Sequence, residues 1–178
     1  MRIAISSKSG CGNTTVSTLL AKTLDCKLIN FTFRQLSQEK NIEFWTLIEM
    51  AKTNFDLDRE LDSRQVEMAM SEENCVLGSR LAIWMLKDAD LKVYLTASDI
   101  TRAERVFKRE GGSLEERFNE TVKRDQTDSM RYMEIYQIDN TKPEEVADLI
   151  IDTDDKNPEE IVALILKELE SRNLYCKK

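Results

Sequence analysis

Five short apolar runs divide the chain, and polar segments with helical periodicity lie between them. The runs predict β-strands over residues 1–5, 27–31, 75–78, 91–95 and 148–152. After the first run, Val16, Leu19, Leu20 and Leu24 recur at the spacing of one helix face. Because strands alternate with helices, we expect a parallel sheet covered by helices on both faces. The pattern predicts a three-layer α/β fold that forms a single domain over residues 1–178.

Helical insertions interrupt this alternation. The sequence predicts helices over 33–40, 43–52 and 56–70 after the second strand, and a closing helix over 159–171. After the fourth strand, a helix from Ser98 leads to glycines at 111 and 112, and a long polar helix follows over 114–136. Ser113 and Glu116 have the spacing of a capping box, which marks the start of that helix. A helical hairpin interrupted by two glycines is predicted to be a mobile lid.

A loop with two glycines joins the first strand to the first helix, which is the order found in a phosphate-binding loop. The Walker A pattern is a glycine, four residues, a second glycine, a lysine, and a Ser or Thr. Here Ser7 stands at the first glycine, Gly12 at the second, Asn13 at the lysine and Thr14 at the hydroxyl. We predict that this glycine loop binds the phosphates of a nucleotide. Its candidate residues are Ser7, Lys8, Ser9, Gly10, Cys11, Gly12, Asn13, Thr14 and Thr15.

Most phosphate contacts of such a loop need no lysine. Gly10 and Gly12 allow backbone N–H groups to turn inward, and the following helix offers free N–H groups and the positive end of its dipole. Thr14 is placed to coordinate a Mg²⁺ ion that bridges the β- and γ-phosphates. Asn13 carries no charge, so Lys8 becomes the candidate cation for the transferring phosphate. The alternative is an ordinary strand-to-helix turn.

Composition excludes several classes of function. The chain has 26 Lys and Arg against 33 Asp and Glu, a net charge of −7, which argues against nucleic-acid or membrane-surface binding. It has no histidine, so Ser-His-Asp and Cys-His hydrolases are excluded, whereas phosphoryl transfer is not. No apolar run has transmembrane length and no segment resembles a signal peptide, so we expect a cytoplasmic protein. The cysteines are too widely spaced for a zinc site, and we expect most of them to be buried thiols: Cys11, Cys26, Cys75 and Cys176.

Arginines recur on the faces of the two predicted lid helices. The first helix carries Arg102, Arg105 and Arg109 on one face. The second carries Arg117, Arg124 and Arg131 at intervals of seven, with Asp128 on the same stripe. The planar fork of arginine suits multiply charged phosphates, so a phosphate loop upstream favours a ligand-binding role. The alternative is a solvated helix face with ion pairs along it.

Two further arginines follow predicted strands closely. Arg34 and Arg80 lie near the carboxyl ends of the second and third strands, where open α/β sheets bind ligands. We interpret both as candidate ligand-binding residues. The alternative for each is a structural ion pair.

Six segments together are more specific than the glycine loop alone. They are residues 1–15, 33–34, 58–65, 79–85, 89–95 and 131–139. In these segments the chain resembles the nucleoside monophosphate kinases of the cytidylate kinase family, particularly the short form of archaea and some bacteria. The resemblance spans nearly the whole chain. It implies a P-loop kinase core with an acceptor-nucleotide-binding insertion over about 31–72 and a lid hairpin over about 98–138. It also implies transfer of the γ-phosphoryl group of ATP to CMP or dCMP, with Mg²⁺ required.

The resemblance also implies roles for individual residues. The acceptor nucleotide would contact Arg34, Arg80, Arg124, Asp128 and Arg131. Cations around the transferring phosphate would be Lys8, Arg105, Arg109 and Arg124, and Arg102 would belong to the same lid. Three positions depart from the family pattern. Ser7 and Asn13 replace a glycine and a lysine, and Gly78-Ser79 stands where Glu-Gly or Asp-Gly usually precedes the arginine.

These observations lead to the hypothesis of an ATP-dependent (d)CMP kinase whose partners are its nucleotide substrates. A nucleotide-binding pseudokinase is the first alternative, because Asn13 replaces the lysine of the loop. A P-loop kinase for another nucleotide or a small metabolite is the second, since a few hydrogen bonds around the acceptor decide base selectivity. We expect a monomer and leave a dimer open.

Overall fold

A parallel sheet of five strands forms the middle layer of the protein. The computed structural model describes residues 1–175. The strands are β1 (Arg2–Ser7), β2 (Lys27–Ile29), β3 (Cys75–Gly78), β4 (Leu91–Thr96) and β5 (Leu149–Asp152). They lie in the order β2-β3-β1-β4-β5, and every pair is parallel. The predicted α/β fold with a five-stranded parallel sheet is therefore confirmed.

The central strand β1 explains why the sequence reads as continuous apolar runs. Ile3, Ala4 and Ile5 are fully buried, since helices cover both faces of the sheet. On one face, β1 packs with helices α1 (Asn13–Thr23) and α8 (Pro158–Ser171). The other face packs against α4 (Asp56–Met70) and α5 (Ala82–Met85). The three layers place the glycine loop at the carboxyl end of the strand that lies deepest in the core.

The two insertions form separate helical units. The first contains α2 (Phe33–Glu39) and α3 (Phe44–Ala51), which pack on the start of α4 around their own small core. The second is a hairpin of α6 (Asp99–Glu110) and α7 (Leu114–Tyr136). The capping box at the start of α7 is confirmed, because Ser113 and Glu116 each accept a hydrogen bond from the backbone N–H of the other. None of the helices in residues 1–175 has the length and apolar content needed to cross a membrane.

The element boundaries differ from the sequence prediction in a few places. Strand β1 extends to Ser7, and α1 begins at Asn13, directly after Gly12. Strand β2 ends at Ile29, because Phe31 turns away to join the core of the first insertion. Helix α5 was not predicted, since its four residues are too few to show a period. A 3-10 turn over Pro143–Glu145 was also not predicted.

The cysteines largely follow the prediction. Cys11 and Cys75 are buried, and Cys26 is half-buried. All three are free thiols. The remaining cysteine, Cys176, lies outside the described residues.

Helix α6 is anchored to the glycine loop through Arg102. This side chain is only 1% exposed, and its guanidinium donates to the carboxylates of Asp99 and Asp125 and to the carbonyl of Ser9. The burial corrects the expectation that Arg102 shares a ligand-facing stripe with the other arginines of α6. Its charge is neutralised within the protein, so its role in the fold is to join the hairpin to the loop.

Gly10 permits this contact, which leads to a prediction for its replacement by alanine. Its φ is +85°, and a Cβ there would lie 2.9 Å from both Cβ and the carbonyl oxygen of Arg102. Gly12 also has a positive φ, of +90°, but a Cβ there would meet open space. We expect Gly10→Ala to lower the free energy of unfolding by about 2–3 kcal/mol and Gly12→Ala by only about 1 kcal/mol. Urea unfolding measures both, and equal losses would contradict the proposed close packing at Gly10.

Candidate active site

A cavity of about 480 Å³ opens at the carboxyl ends of β1 and β3, where ligands bind in sheets of this kind. The glycine loop (residues 7–15) lines one side of it. Five cationic side chains line the cavity, and no acidic one does among the described residues: Lys8, Arg80, Arg105, Arg109 and Lys156. On a protein with a net charge of −7, this concentration of positive charge marks a site for a strongly anionic ligand.

The start of α1 adds unpaired backbone donors to this cavity. The first hydrogen bond within the helix runs from the N–H of Val16 to the carbonyl of Gly12, at 3.0 Å. No side chain among the described residues caps the helix. The N–H groups of residues 13–15 consequently have no helical partner, and the positive end of the helix dipole lies at the same place. Such an uncapped N-terminus is suited to bind phosphate.

Arg105 connects the loop to the far edge of the sheet. Its guanidinium donates to the hydroxyl of Thr153 at 2.9 Å, to the Thr153 carbonyl at 2.5 Å and to the carbonyl of Gly10 at 3.4 Å. These bonds fix the arginine while leaving it on the lining of the cavity. Arg109, one turn further along α6, is 61% exposed and pairs with the neighbouring Glu110. The first of these arginines is therefore rigidly placed, and the second is free to reorient.

Lys8 contacts the hairpin through an ion pair. Its ammonium lies 3.6 Å from a carboxylate oxygen of Asp125, which also receives two bonds from Arg102. The carboxylate is thus shared between two cations. Arg102 already binds the Asp125 carboxylate at 2.6 Å, so the longer contact of this carboxylate with Lys8 is the weaker of the two. Lys8 can therefore leave Asp125 for another anion more easily.

The side chain of Asn13 supplies neither charge nor a spare donor to the cavity. Its amide nitrogen donates to the carbonyls of Ile5 and Ser79, and its amide oxygen accepts from the hydroxyl of Ser17. The position that carries lysine in the Walker A pattern is thus engaged within the protein.

A second charged cluster joins Arg80, at the edge of the cavity, to residues of α7. Arg80 donates to the carboxylate of Asp128 at 2.6 Å, and the Tyr132 hydroxyl lies beside the same arginine. Arg124 makes no hydrogen bond or ion pair among the described residues. Arg124 is exposed, but partial desolvation, and then the nearby charge of Arg80, lowers its pKa, while burial raises the pKa of Asp128. Arg80 is paired with Asp128, whereas the neighbouring Arg124 has no ion-pair partner among the described residues, so positive charge is left available to an anion.

The remaining two candidate arginines are placed differently. Arg131 binds the carboxylate of Asp58 and the carbonyl of Ala51, which ties α7 to the first insertion. Arg34 is exposed, with its guanidinium 4.3 Å from the centre of the Phe44 ring. The structure therefore brings Arg80, Arg124 and Asp128 together and leaves Arg34 outside this cluster.

Several residues of the site had no role in the sequence prediction. Asp125 and Asp58 hold the cations of the loop and of α7, and Thr153 holds Arg105. Asp58 belongs to one of the segments that carry the family resemblance, which is a signal that could have drawn attention to it. Lys156, in the loop between β5 and α8, is marked by no pattern in the sequence.

The described residues contain no cluster of three or more carboxylate, thiol or imidazole groups able to hold a metal ion. Thr14 lines the cavity at the start of α1 with an exposed side chain. This donor set fits Mg²⁺, which keeps several waters and is held through substrate phosphates with few protein ligands. Cys11 is not a candidate ligand, because burial raises its pKa to about 11 and keeps the thiol neutral.

A parallel sheet with this strand order, and a glycine loop that leads from β1 into the uncapped N-terminus of α1, defines the fold class of the P-loop kinases. Solved structures agree. The shikimate kinase from Bacteroides thetaiotaomicron has a TM-score of 0.66 at 17% identity, over 96% of this chain and 98% of that one. The deoxyadenosine kinase from M. mycoides with bound dATP has a TM-score of 0.57 at 20% identity, over 96% and 100%. At these identities the likeness establishes the fold alone.

Sequence comparison narrows the class further. The model of the cytidylate kinase-like family matches residues 2–155, and the chain belongs to this family. A protein of Borreliella afzelii named cytidylate kinase 2 is 44% identical over 177 residues, which are 98% of this chain and 99% of that protein. The cytidylate kinase of Pyrococcus abyssi is 41% identical over 177 residues, or 98% and 96% of the two chains. The resemblance inferred from the six sequence segments is therefore confirmed.

A half-buried carboxyl group on α4, that of Asp62, provides a prediction about pH. The hydroxyl of Tyr136 donates to Asp62 at 2.5 Å, and burial raises the pKa of Asp62 from 3.8 to about 6. Ionised Asp62 is less favourable in the folded protein than in the unfolded chain. Its contribution to stability is therefore present at low pH and is lost as the pH rises from about 4 through about 6.

We expect Asp62→Asn, whose amide oxygen still accepts from Tyr136, to be more stable than the wild type at about pH 7.5. The two proteins should converge in stability as the pH approaches about 4. Urea unfolding over this range measures the difference. Asp139→Asn is a control of opposite sign, because the hydroxyl and N–H of Thr141 lower the pKa of exposed Asp139. A difference for Asp62→Asn that does not change with pH would contradict the prediction.

Proposed function

We propose that the protein is a nucleoside monophosphate kinase that transfers the γ-phosphoryl group of ATP to CMP or dCMP with Mg²⁺. One observation carries the proposal. Five cations surround the glycine loop and the uncapped N-terminus of α1, in a cavity whose described lining has no acidic side chain. Membership of the cytidylate kinase-like family, and relatives named cytidylate kinase, support CMP as the acceptor.

The donor phosphates occupy the glycine loop in this proposal. Residues 7–15 surround them, with the free N–H groups at the start of α1 directed at the phosphate oxygens. Thr14 would hold Mg²⁺, which when bound neutralises charge on the β- and γ-phosphates. Lys8 exchanges Asp125 for the γ-phosphate and supplies the charge that Asn13 lacks. Arg105 and Arg109 complete the cationic surroundings from α6.

The acceptor nucleotide lies between β3 and α7. Arg80 and Arg124 bind its phosphate, because they are close together and only Arg80 has an ion-pair partner among the described residues, Asp128. Asp128 and Arg131 bind the remainder of the nucleotide from the same stripe of α7. The family resemblance alone supports Arg34 as a further contact of the acceptor phosphate.

The reaction requires positioning rather than proton transfer. An oxygen of the acceptor phosphate, already ionised near neutral pH, forms a bond to the γ-phosphorus as the bond to the β–γ bridging oxygen breaks. ADP leaves with that electron pair. Lys8, Arg105, Arg109 and Arg124 stabilise the charge on the transferring group, and an enzyme without histidine can perform every step.

The setting is also part of the proposal. We propose a cytoplasmic protein, because ATP is the donor and Cys11, Cys26 and Cys75 are free thiols. We further propose that it acts as a monomer. The nucleotides are the partners that the site requires.

A coupled assay with ATP, Mg²⁺ and a panel of nucleoside monophosphates tests the function. We expect turnover with CMP and dCMP, at kcat/KM values at least about tenfold above those for AMP, GMP and UMP. Binding of ATP without turnover of any acceptor would support a pseudokinase instead. Preference for a different acceptor would place the protein among kinases of other substrates.

Replacing Lys8 tests the source of the missing charge. We expect Lys8→Met to lower kcat by about 100-fold, since one charge-assisted contact to the transferring group is lost. Lys22→Met is the control, because Lys22 is exposed in the last turn of α1. Steady-state kinetics measure both. Full activity of Lys8→Met would show that another cation acts on the γ-phosphate.

Replacing Arg124 tests the acceptor site. We expect Arg124→Ala to raise the KM for CMP by about 10- to 100-fold and to leave ATP affinity nearly unchanged, because the arginine faces the acceptor side of the cavity. Arg59→Ala is the control, since Arg59 is half exposed on α4 and pairs only with Asp56 among the described residues. Equal losses for ATP and CMP would contradict the assignment.

A further inference from the structure

The side chain of Asn13 is held by the ends of two strands. Its amide nitrogen lies 3.0 Å from the carbonyl oxygen of Ile5 and 3.3 Å from that of Ser79. Its amide oxygen accepts from the hydroxyl of Ser17 at 2.9 Å. An amide group has two N–H donors, and both are engaged here. The side chain of Asn13 in this position has no donor left for a phosphate oxygen.

Gly78 lacks a side chain because Asn13 and Ser17 fill the space beside it. Its φ is not in the positive region, so backbone conformation does not require glycine. A Cβ at this position would lie 2.5 Å from the hydroxyl oxygen of Ser17 and 3.0 Å from the amide oxygen of Asn13. Ser17 is only 1% exposed and has little room to move. We call these three mutually fitted residues, Asn13, Ser17 and Gly78, the amide clasp.

The amide clasp joins the donor side of the cavity to the acceptor side. Asn13 is the first residue of α1, directly after the glycine loop, while Ser79 directly precedes Arg80. The carbonyl of Ile5 also accepts the N–H of Ser79, at 3.1 Å. The ends of β1 and β3 are thus bound together where one leads into the loop and the other into Arg80. Displacements of about 1 Å between reacting groups are enough to slow a reaction substantially.

We propose that the side chain of Asn13 is a positioning group that sets Arg80 against the glycine loop through the amide clasp, and that this side chain is not a phosphate ligand. The inference deepens the proposed function and rests on it. A lysine at position 13 would give up the bonds to Ile5 and Ser79. It would also add a cation to a cavity whose described lining already has five and no acidic side chain. Asn13→Lys, which restores the Walker A residue, should therefore lower the activity.

Two substitutions of Asn13 test this by separating acceptor use from donor binding. We expect Asn13→Ala to raise the KM for CMP by about tenfold and to lower kcat, with ATP affinity by calorimetry changed less than about twofold. We expect Asn13→Lys to lose about tenfold or more in kcat/KM for CMP. Tighter ATP binding with a higher kcat in Asn13→Lys would overturn the proposal. So would weaker ATP binding in Asn13→Ala with an unchanged KM for CMP.

Neighbouring residues of α1 provide a matched pair of variants. Ser17→Ala removes the hydroxyl that holds the amide of Asn13, whereas Thr18→Ala removes an exposed hydroxyl that bonds the carbonyl of Thr14. We expect Ser17→Ala to raise the KM for CMP and Thr18→Ala to leave it within about twofold of the wild type. Equal KM values for the two variants would contradict a role for the amide clasp.

Rescue of a Gly78 variant tests the fit of the amide clasp directly. Gly78→Ala introduces a Cβ against Ser17, so we expect a raised KM for CMP and a lower Tm. Ser17→Gly removes both contacting atoms of that residue, so we expect Gly78→Ala to raise the KM for CMP less in the Ser17→Gly background than in the wild type. An equal effect of Gly78→Ala in both backgrounds would count against the proposal.

Direct measurements of CMP affinity keep the inference distinct from the proposed function. If the wild type phosphorylates no nucleoside monophosphate, the proposed function fails, but calorimetry with CMP still compares Asn13→Ala with the wild type. Weaker CMP binding in the variant would then support the positioning role. Unchanged affinity, or no CMP binding by the wild type, would overturn it.

Discussion

The buried guanidinium of Arg102 is the contact on which the arrangement of the site depends. From α6 it reaches two other segments, the glycine loop through the Ser9 carbonyl and α7 through Asp125, and it also binds Asp99 in its own helix. An arginine buried to this degree is stable only when its charge is paired, so the loop and both helices of the hairpin must meet in this way. The same contact requires glycine at position 10, because no side chain fits between the backbone of Gly10 and Arg102.

The pairing of charges explains how an acidic protein presents a cationic cavity. Carboxylates of the hairpin and of α4 form ion pairs with the site cations: Asp125 with Lys8, Asp128 with Arg80, and Asp58 with Arg131. Each ion pair holds a cationic side chain in place before a ligand arrives. Less conformational entropy of that side chain is therefore lost when the ligand binds. Arg124 lacks such a partner among the described residues. Incoming phosphates would complete this charge balance.

Local patterns explain which parts of the fold were predictable from the sequence. The five strands were recognised because β1, β3 and β4 are buried on both faces and read as unbroken apolar runs. The start of α7 was recognised because Ser113 and Glu116 bond within a single turn. Helix α5 was missed, since four residues show no period.

The site was predicted less completely, because its decisive contacts join distant residues. Spacing placed Arg102 on the same helix face as Arg105, but it gave no sign that Arg102 is buried against the loop. The contact of Lys8 with Asp125 spans most of the chain. The direction of the Asn13 amide depends on the carbonyls of Ile5 and Ser79, which only the assembled sheet brings together.

The central claim is that charge on the transferring phosphate is balanced by Lys8 and the arginines, while Asn13 remains part of the protein framework. A crystal structure with CMP, Mg²⁺ and a non-hydrolysable ATP analogue tests it most directly. The account predicts that the Lys8 ammonium leaves Asp125 for an oxygen of the γ-phosphate, while the Asn13 amide stays on Ile5 and Ser79. An Asn13 side chain turned toward the phosphates, with Lys8 still paired to Asp125, would contradict it.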